Sequence, residues 1–230
     1  MTTLNSDIFL SQEYADNPYP TLKMLRDDHP VYFNEAFNQF MVTRYEDVIN
    51  IFSDTENFSA SPNGDHIGAV FGPTLMEYDG EDHRTLRALV APEFVGLKLK
   101  ALLPIVQRNT MALVEKFTQV HAERIAQEAT STGEIDIVDD FATRLPLNVI
   151  LDVLDLPQKA HAMFHNWYPA MMNGISGGPE LRIAGKKANA EYHAYLDPLI
   201  HERSQNPGSD LLSQLSIAEV DGKRMTPDEI

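Results

Sequence analysis

Two side chains in one short stretch have the types and the spacing needed to bind an anion. His83 follows Asp79, and Arg87 follows His83, at intervals of four residues. In a helix, residues four apart lie one above the other, so His83 and Arg87 would present two cationic donors side by side. Charge-assisted hydrogen bonds from such a pair strengthen where water is partly excluded. The alternative is that both side chains are simply solvated at a helix border.

The ends of this stretch predict a short helix that would position the pair. Asp79 is a suitable N-cap, and Pro92 stops the helix. Glu81 and Asp82 place negative charge in the first turn, where it interacts favourably with the helix dipole. An apolar stripe at helical spacing is formed by Leu86, Leu89 and Val90. The two cationic donors would therefore border a buried face.

Composition limits the classes of function. The chain has 230 residues, of which 43% are hydrophobic, and this is enough for a core. A formal charge of -16 argues against a nucleic-acid partner or an anionic membrane. The chain has no cysteine, which excludes disulfides and thiolate ligands within it. Because the N-terminus has no signal-peptide pattern and no stretch of eighteen apolar residues occurs, we expect a soluble cytoplasmic protein without membrane contact.

The first quarter of the chain predicts a helix, a β-hairpin and a second helix. The first helix begins near Asn17 and is stopped by His29 and Pro30. Two short β-rich runs at 31–33 and 39–43 read as the hairpin. The second helix covers 45–52 and leads to Phe58-Ser59. The loop at 59–75 is rich in Gly, Ser and Pro yet carries apolar side chains, which is typical of a loop that lines a pocket or packs onto the core.

The remainder of the chain predicts mainly helices. A long helical pattern runs to about Ala129, and Glu134–Val138 alternates as a strand. Asp139 and Asp140 would cap the helix that follows. Further helices are predicted at 141–154 and 159–172, in a long segment ending near Arg203, and after Pro207-Gly208. Thr226 has the features of a helix N-cap.

A second constellation could bind a metal. His161 and His165 lie one helical turn apart, and His193 or His201 could supply a third ligand. No Glu follows the first His as in zinc protease motifs, and His pairs at this spacing are common by chance. The sequence contains no phosphate-binding loop and no nucleophile-elbow motif, so nothing supports a hydrolase or a nucleotide-binding protein. We therefore predict no metal ligands and no catalytic residue in this chain.

The stretch from Asp79 to Arg87 resembles the C-helix signature of bacterial cytochromes P450, Asp-x-Pro-x-His-x-x-x-Arg, with Glu81 in place of the proline. The opening helix and hairpin, Phe58-Ser59, the Pro207-Gly208 turn and the helix start at Thr226 occur in the same order as in that family. The resemblance implies a mainly α fold with a small β-sheet. It corresponds to the N-terminal half of the cytochrome P450 fold, helices A to H with the first hairpin.

The resemblance also implies a cofactor, a substrate and a partner. His83 and Arg87 would bind the propionates of haem b. The predicted helix at 159–172 and the long helix after it resemble the F and G helices, which form the lid of the substrate channel in that family. A small apolar organic substrate would contact this lid and the loop at 59–75, and the expected contacts are Ile67, Val70, Phe71, Leu75, Met171, Met172 and Ile175. A ferredoxin-type electron donor would dock on a basic cluster that comprises Arg84, Lys98, Lys100 and Arg108.

We expect residues 1–230 to form a single incomplete domain that ends at the start of the I helix. Residues 1–75 would be a hairpin-containing region with the B–C loop, and residues 76–230 a helical region. The complete protein would insert one oxygen atom of dioxygen into its substrate. This truncated chain would be inactive, because the haem-ligating Cys is absent. The alternative is a non-catalytic helical scaffold or binding protein derived from the same fold.

Overall fold

A computed structural model describes residues 5–127 and 135–230. The chain divides into two compact units, Met1–Ser59 and Ala60–Ile230. The first unit contains α1 (Gln12–Asp16), α2 (Tyr19–Asp28), β1 (Val31–Asn34), β2 (Gln39–Val42) and α3 (Tyr45–Ser53), after a 3₁₀ turn at Ser6–Leu10. No helix within the described ranges has the length and the apolar character that crossing a membrane requires.

The predicted hairpin is present and is stabilised by a buried asparagine. β1 and β2 pair antiparallel, with Asn34 opposite Gln39. The Asn34 side-chain oxygen accepts hydrogen bonds from the backbone N–H groups of Ala36 and Phe37, at 3.0 and 3.3 Å, which closes the turn. Asn38 supplies the left-handed residue, with φ of 50°. This polar turn fixes the register of the two strands.

The second unit is almost entirely helical. Its helices are α4 (Gly68–Phe71), α5 (Gly80–Val90), α6 (Gly96–Ala101), α7 (Leu103–Gln127), α8 (Arg144–Val153), α9 (Gln158–Ser176), α10 (Pro179–Gln205) and α11 (Leu211–Ile217). Shorter 3₁₀ turns lie at Ser61–Asp65, Leu75–Glu77, Ala91–Phe94 and Pro227–Glu229. The main core joins α8, α9, α10 and α11 through Leu147, Leu151, Leu156, Ala160, Phe164, Leu196, Ile200 and Leu212. Burial of these apolar side chains is the main stabilising term for the unit.

One predicted strand is wrong. Its first residue, Glu134, lies outside the described residues, as does the predicted helix end at Ala129. Ile135 and Asp136 have no regular structure, and a π-helical turn occupies Val138–Ala142. The Asp136 carboxylate accepts hydrogen bonds from the N–H groups of Val138 and Asp139, at 2.9 and 3.1 Å. Asp136 therefore caps a helical turn here, which overrides the alternating pattern.

A polar clamp closes one end of the helical core. The Arg203 guanidinium, on α10, donates to the carbonyl oxygens of Leu154 and Asp155 and forms an ion pair with Asp210 at 2.7 Å. Asp210 also caps α11 by accepting from the N–H of Ser213 at 3.0 Å. Burial alone would raise the pKa of Asp210, but the hydrogen bonds from Ser213 and the charge of Arg203 outweigh it and lower the pKa.

We predict that Arg203→Met lowers the free energy of unfolding by about 2–4 kcal/mol, because it leaves a largely buried carboxylate and two carbonyl groups without their donor. Arg224→Met is the matched control, since it removes an exposed pair with Glu219 and should cost less than about 1 kcal/mol. Urea unfolding of both variants measures the difference. Equal losses in the two variants would contradict the assigned role of the clamp.

The pH dependence of the free energy of unfolding provides a second test of Arg203→Met. The folded-state pKa of Asp210 lies below the unfolded value, so its contribution is present above the unfolded pKa and is lost as pH falls through the folded pKa. In the Arg203→Met variant, the free energy of unfolding should therefore fall less steeply as the pH is lowered.

Candidate functional site

The helix predicted around the His–Arg pair is α5, and its start is set by Asp79 and Gly80. Gly80 turns the chain into the helix with φ of 57°, a conformation that favours glycine. Asp79 occupies the N-cap position, but its carboxylate makes no cap hydrogen bond to α5. It accepts a hydrogen bond from the backbone N–H of Ala60 at 2.8 Å instead. Asp79 therefore ties the start of α5 to the start of the loop that precedes it.

His83 and Arg87 lie one turn apart on α5, as their spacing predicts. The His83 side chain is half-buried, whereas Arg87 and its neighbour Arg84 are exposed. Within residues 5–127 and 135–230, neither the His83 side chain nor the Arg87 side chain forms a hydrogen bond or an ion pair. An imidazole and a guanidinium on one helix face, neither of which has a carboxylate partner in the described chain, are suited to hold a carboxylate from outside the chain.

An apolar cavity of about 760 Å³ opens between three helices of the second unit. The walls are faces of α8, α9 and α10, joined by the loop at 71–75 and by Pro227, Glu229 and Ile230. Its apolar lining includes Phe71, Leu75, Pro146, Leu147, Ile150, Leu151, Leu154, Phe164, Met171, Leu196 and Ile200. Polar groups enter the lining from Thr74, Thr143, Tyr168, Asn189, Tyr192, His193 and Glu229. Large apolar cavities with a few polar groups are typical ligand sites.

The structure brings some of the expected substrate contacts together in this cavity and places others elsewhere. Phe71, Leu75 and Met171 line it. Val70 is buried, with 3% of its surface exposed, against Met171 and Ala188. Of the remaining three, Ile67 and Ile175 are half-buried and Met172 is exposed, and none of them is in the lining.

Sequence reasoning missed the contribution of α10 to the cavity. Asn189, Tyr192, His193, Leu196 and Ile200 recur at helical spacing and face it together. The pattern that could have identified this wall is visible in the sequence, because intervals of three and four residues mark one face of a helix.

The expected docking cluster is divided by ion pairs. Lys98 pairs with Glu93, and Arg108 pairs with Asp152 at 2.9 Å. Arg84 and Lys100 are exposed and form no ion pair within the part of the chain that the structure describes. The local positive charge is therefore carried mainly by these two side chains.

Asp152 is the centre of a polar network between α7, α8 and α9. Burial would raise its pKa, but hydrogen bonds from Asn109 at 2.7 Å and Arg108 at 2.9 Å outweigh burial and lower the pKa. The His161 Nε2 atom lies 3.8 Å from the Asp152 Oδ1 atom and forms no hydrogen bond within the described chain. This network joins the helices that form one side of the core.

The four histidines of the second constellation do not converge. His165 Nε2 contacts the Asn148 side-chain oxygen at 2.8 Å, and burial is the main reason that its pKa is lowered. His193 contacts Asp197 at 3.3 Å, and His201 contacts Gln205 at 3.0 Å. Among residues 5–127 and 135–230, no group of three His, Asp or Glu side chains is placed to hold a metal ion.

Comparison with known proteins identifies the fold. No family model matches the chain. The sequence is 29% identical to pulcherriminic acid synthase of Bacillus subtilis (strain 168), over 96% of this chain and 53% of that protein. It is 30% identical to cytochrome P450(MEG) of Priestia megaterium, over 93% of this chain and 52% of that protein. The ligand-free structure of cytochrome P450 TbtJ1 superposes with a TM-score of 0.77 at 27% identity, covering 95% of this chain and 53% of that one.

These comparisons confirm the resemblance and the fold class predicted from the sequence. The chain has the N-terminal half of the cytochrome P450 fold, and it spans about half the length of the relatives that it matches.

We predict that the cavity binds a neutral apolar probe, N-phenyl-1-naphthylamine. Trp167 is the only tryptophan and packs beside Phe164 and Tyr192, so energy transfer from its indole reports probe bound there. Ala142→Phe places a ring in the lining and should weaken binding about tenfold. Ala162→Phe, at an exposed position on α9 outside the lining, is the control and should leave the dissociation constant unchanged. Unchanged binding in the Ala142 variant would remove the cavity as the site.

Proposed function

We propose that this chain, which has the sequence and the fold of the N-terminal half of a cytochrome P450, is part of a haem-thiolate monooxygenase. The complete enzyme inserts one oxygen atom of dioxygen into a small apolar organic substrate. The observation that carries the proposal is the similarity to cytochromes P450 over about 95% of the chain, in sequence and in fold together. Cytoplasmic location stays a prediction from the sequence.

The side chains of α5 fit one part of the haem group. His83 and Arg87 are cationic donors with no counter-ion in the described chain, and the haem propionates are carboxylates. The iron has no thiolate ligand here, because the chain contains no cysteine. When bound with a cysteine thiolate on its iron, haem supplies the activation of dioxygen. We propose that His83 and Arg87 hold the propionates, and that the 230-residue chain alone is inactive.

The cavity supports the proposed class of substrate. Phe71, Leu75 and Met171 would contact the substrate and exclude water, and the polar groups of α10 would orient it. Ile67, Met172 and Ile175 stay proposed substrate contacts, although they lie outside the cavity lining. Val70, which is buried against Met171 and Ala188, would act on the substrate only through its neighbours. Among the residues that the structure describes, no Lys or Arg side chain lines the cavity, which supports an uncharged apolar substrate.

We also propose that a ferredoxin-type electron donor docks on the basic cluster. Arg84 and Lys100 would attract an acidic partner most strongly, because the charges of Lys98 and Arg108 are partly neutralised by Glu93 and Asp152. The contribution of the paired residues would depend on how easily the partner displaces the carboxylates.

The coding sequence that follows Ile230 tests the proposed enzyme directly. An open frame with the Glu-x-x-Arg of the K helix and a loop with the haem-ligating Cys is expected. A stop codon, together with stable expression of a monomeric chain that melts cooperatively, would instead favour the non-catalytic scaffold.

Haem binding tests the roles of His83 and Arg87. We predict that the chain binds haem about tenfold more tightly than haem dimethyl ester, because the ester lacks the carboxylates that form charge-assisted hydrogen bonds. Quenching of Trp167 fluorescence measures both affinities. The double variant His83→Ala/Arg87→Ala should lose the preference.

Arg84→Ala is the matched control for this measurement. Arg84 is an exposed cation on the same helix, so its removal should leave the preference intact. If the double variant still distinguishes haem from its ester, the propionate assignment is wrong. If Arg84→Ala abolishes the preference as well, the effect is one of general charge.

A further inference from the structure

Val70 connects the loop before α5 to both walls of the cavity. It lies on the short helix α4, and its side chain is 3% exposed. It packs against Met171 of α9 and Ala188 of α10, so one side chain contacts both long helices. Trp167 also packs against this cluster.

The Val70 methyl groups occupy a notch that two glycines leave open. A Cβ built at Gly185 would lie 3.2 Å from Val70 Cγ1 and 3.1 Å from the Ala170 carbonyl oxygen. A Cβ built at Gly174 would lie 3.3 Å from Val70 Cγ2 and 3.1 Å from the Cα of Gly185. Any larger residue at either glycine would displace the valine or separate the helices.

The loop that carries Val70 is closed by its own hydrogen bonds. The backbone N–H of Thr74 donates to the Glu77 carboxylate at 3.1 Å, and the Asn63 side-chain amide donates to the Met76 carbonyl oxygen at 2.9 Å. The bond from Ala60 to Asp79 joins the two ends of the loop. The segment 60–79 therefore holds its own shape, and Val70 is its deepest apolar contact with α9 and α10.

We propose that Val70 is the positioning residue of this loop. Seated in the notch of Gly174 and Gly185, it holds segment 60–79 against α9 and α10 and thereby fixes Phe71 and Leu75 in the cavity wall. Val70 determines which substrate fits by placing its neighbours, not by contacting the substrate. This role rests on the proposed function in one respect, namely that the cavity is the substrate site.

Amide hydrogen exchange in the purified 230-residue chain tests the anchor. Val70→Ala should accelerate exchange in segment 60–79 at least about tenfold and leave α11 within about twofold, because only the loop opens. The emission of Trp167 should shift to longer wavelength. Leu113→Ala on α7 is the control: it also removes a buried side chain, 6% exposed, but should not open the loop selectively. Acceleration spread equally over the whole second unit would overturn the proposal.

A double-mutant cycle tests the notch itself. Gly185→Ala should accelerate loop exchange about tenfold in the unsubstituted chain and by a clearly smaller factor in the Val70→Ala background, where Cγ1 no longer occupies the space and only the contacts with Ala170 and Gly174 remain. Independent effects of the two substitutions would show that Val70 is not held by the glycines.

The dissociation constant of N-phenyl-1-naphthylamine tests the effect on the cavity. Val70→Ala should weaken probe binding at least about fivefold, whereas Leu113→Ala should change it less than about twofold. Loop opening without a change in probe affinity would overturn the specificity role. The exchange measurement requires neither haem nor substrate, so a negative result would not contradict the proposed monooxygenase function. A negative result in the haem test would likewise not contradict the positioning role of Val70.

Discussion

The close approach of α9 and α10 at Gly174 and Gly185 is the constraint on which the second unit depends. With no side chains between them, the two backbones come near enough that a Cβ at either glycine would lie 3.1 Å from a backbone atom of the other helix. Farther along the pair, Phe164 and Trp167 of α9 pack against tyrosines of α10. The two helices are therefore in backbone contact at the glycines and in contact through large rings farther along, and two of these rings, Phe164 and Tyr192, line the cavity.

The other walls of the cavity are held by polar contacts whose partners are distant in sequence. Arg203 joins α10 to the end of α8 and to the cap of α11. Asp152 joins α8 to α7 through Arg108 and Asn109. Each contact satisfies a carboxylate that burial would otherwise penalise, so the two networks align the helices as well as stabilising them. The apolar cavity is thus enclosed by helices whose mutual positions are fixed by ion pairs outside it.

The sequence predicted those elements whose signals are local. The hairpin, α2, α3 and α5 were predicted near their observed bounds because caps, prolines and apolar periodicity lie within each segment. The strand at 134–138 was wrong because Asp136 caps a helical turn, and a single carboxylate outweighed the alternating pattern. The roles of Gly174 and Gly185 depend on contact between two helices and Val70, which no local pattern contains. The sequence contains the periodic face by which α10 contributes a wall, but it does not show that this face lies opposite α8 and α9.

The residues around His83 and Arg87 in the helix leave both side chains without a carboxylate partner in the described chain. The chain has 34 acidic and 18 basic residues, so most surface cations can find a carboxylate, as Lys98 and Arg108 do. The positions three and four residues away on α5 hold no competing acid apart from Asp79; they are Gly80, Arg84, Leu86, Val90 and Ala91. Asp79 directs its carboxylate to the N–H of Ala60. The same bond that closes the loop therefore engages the one acid at these positions and leaves two donors available to an anion from outside the chain.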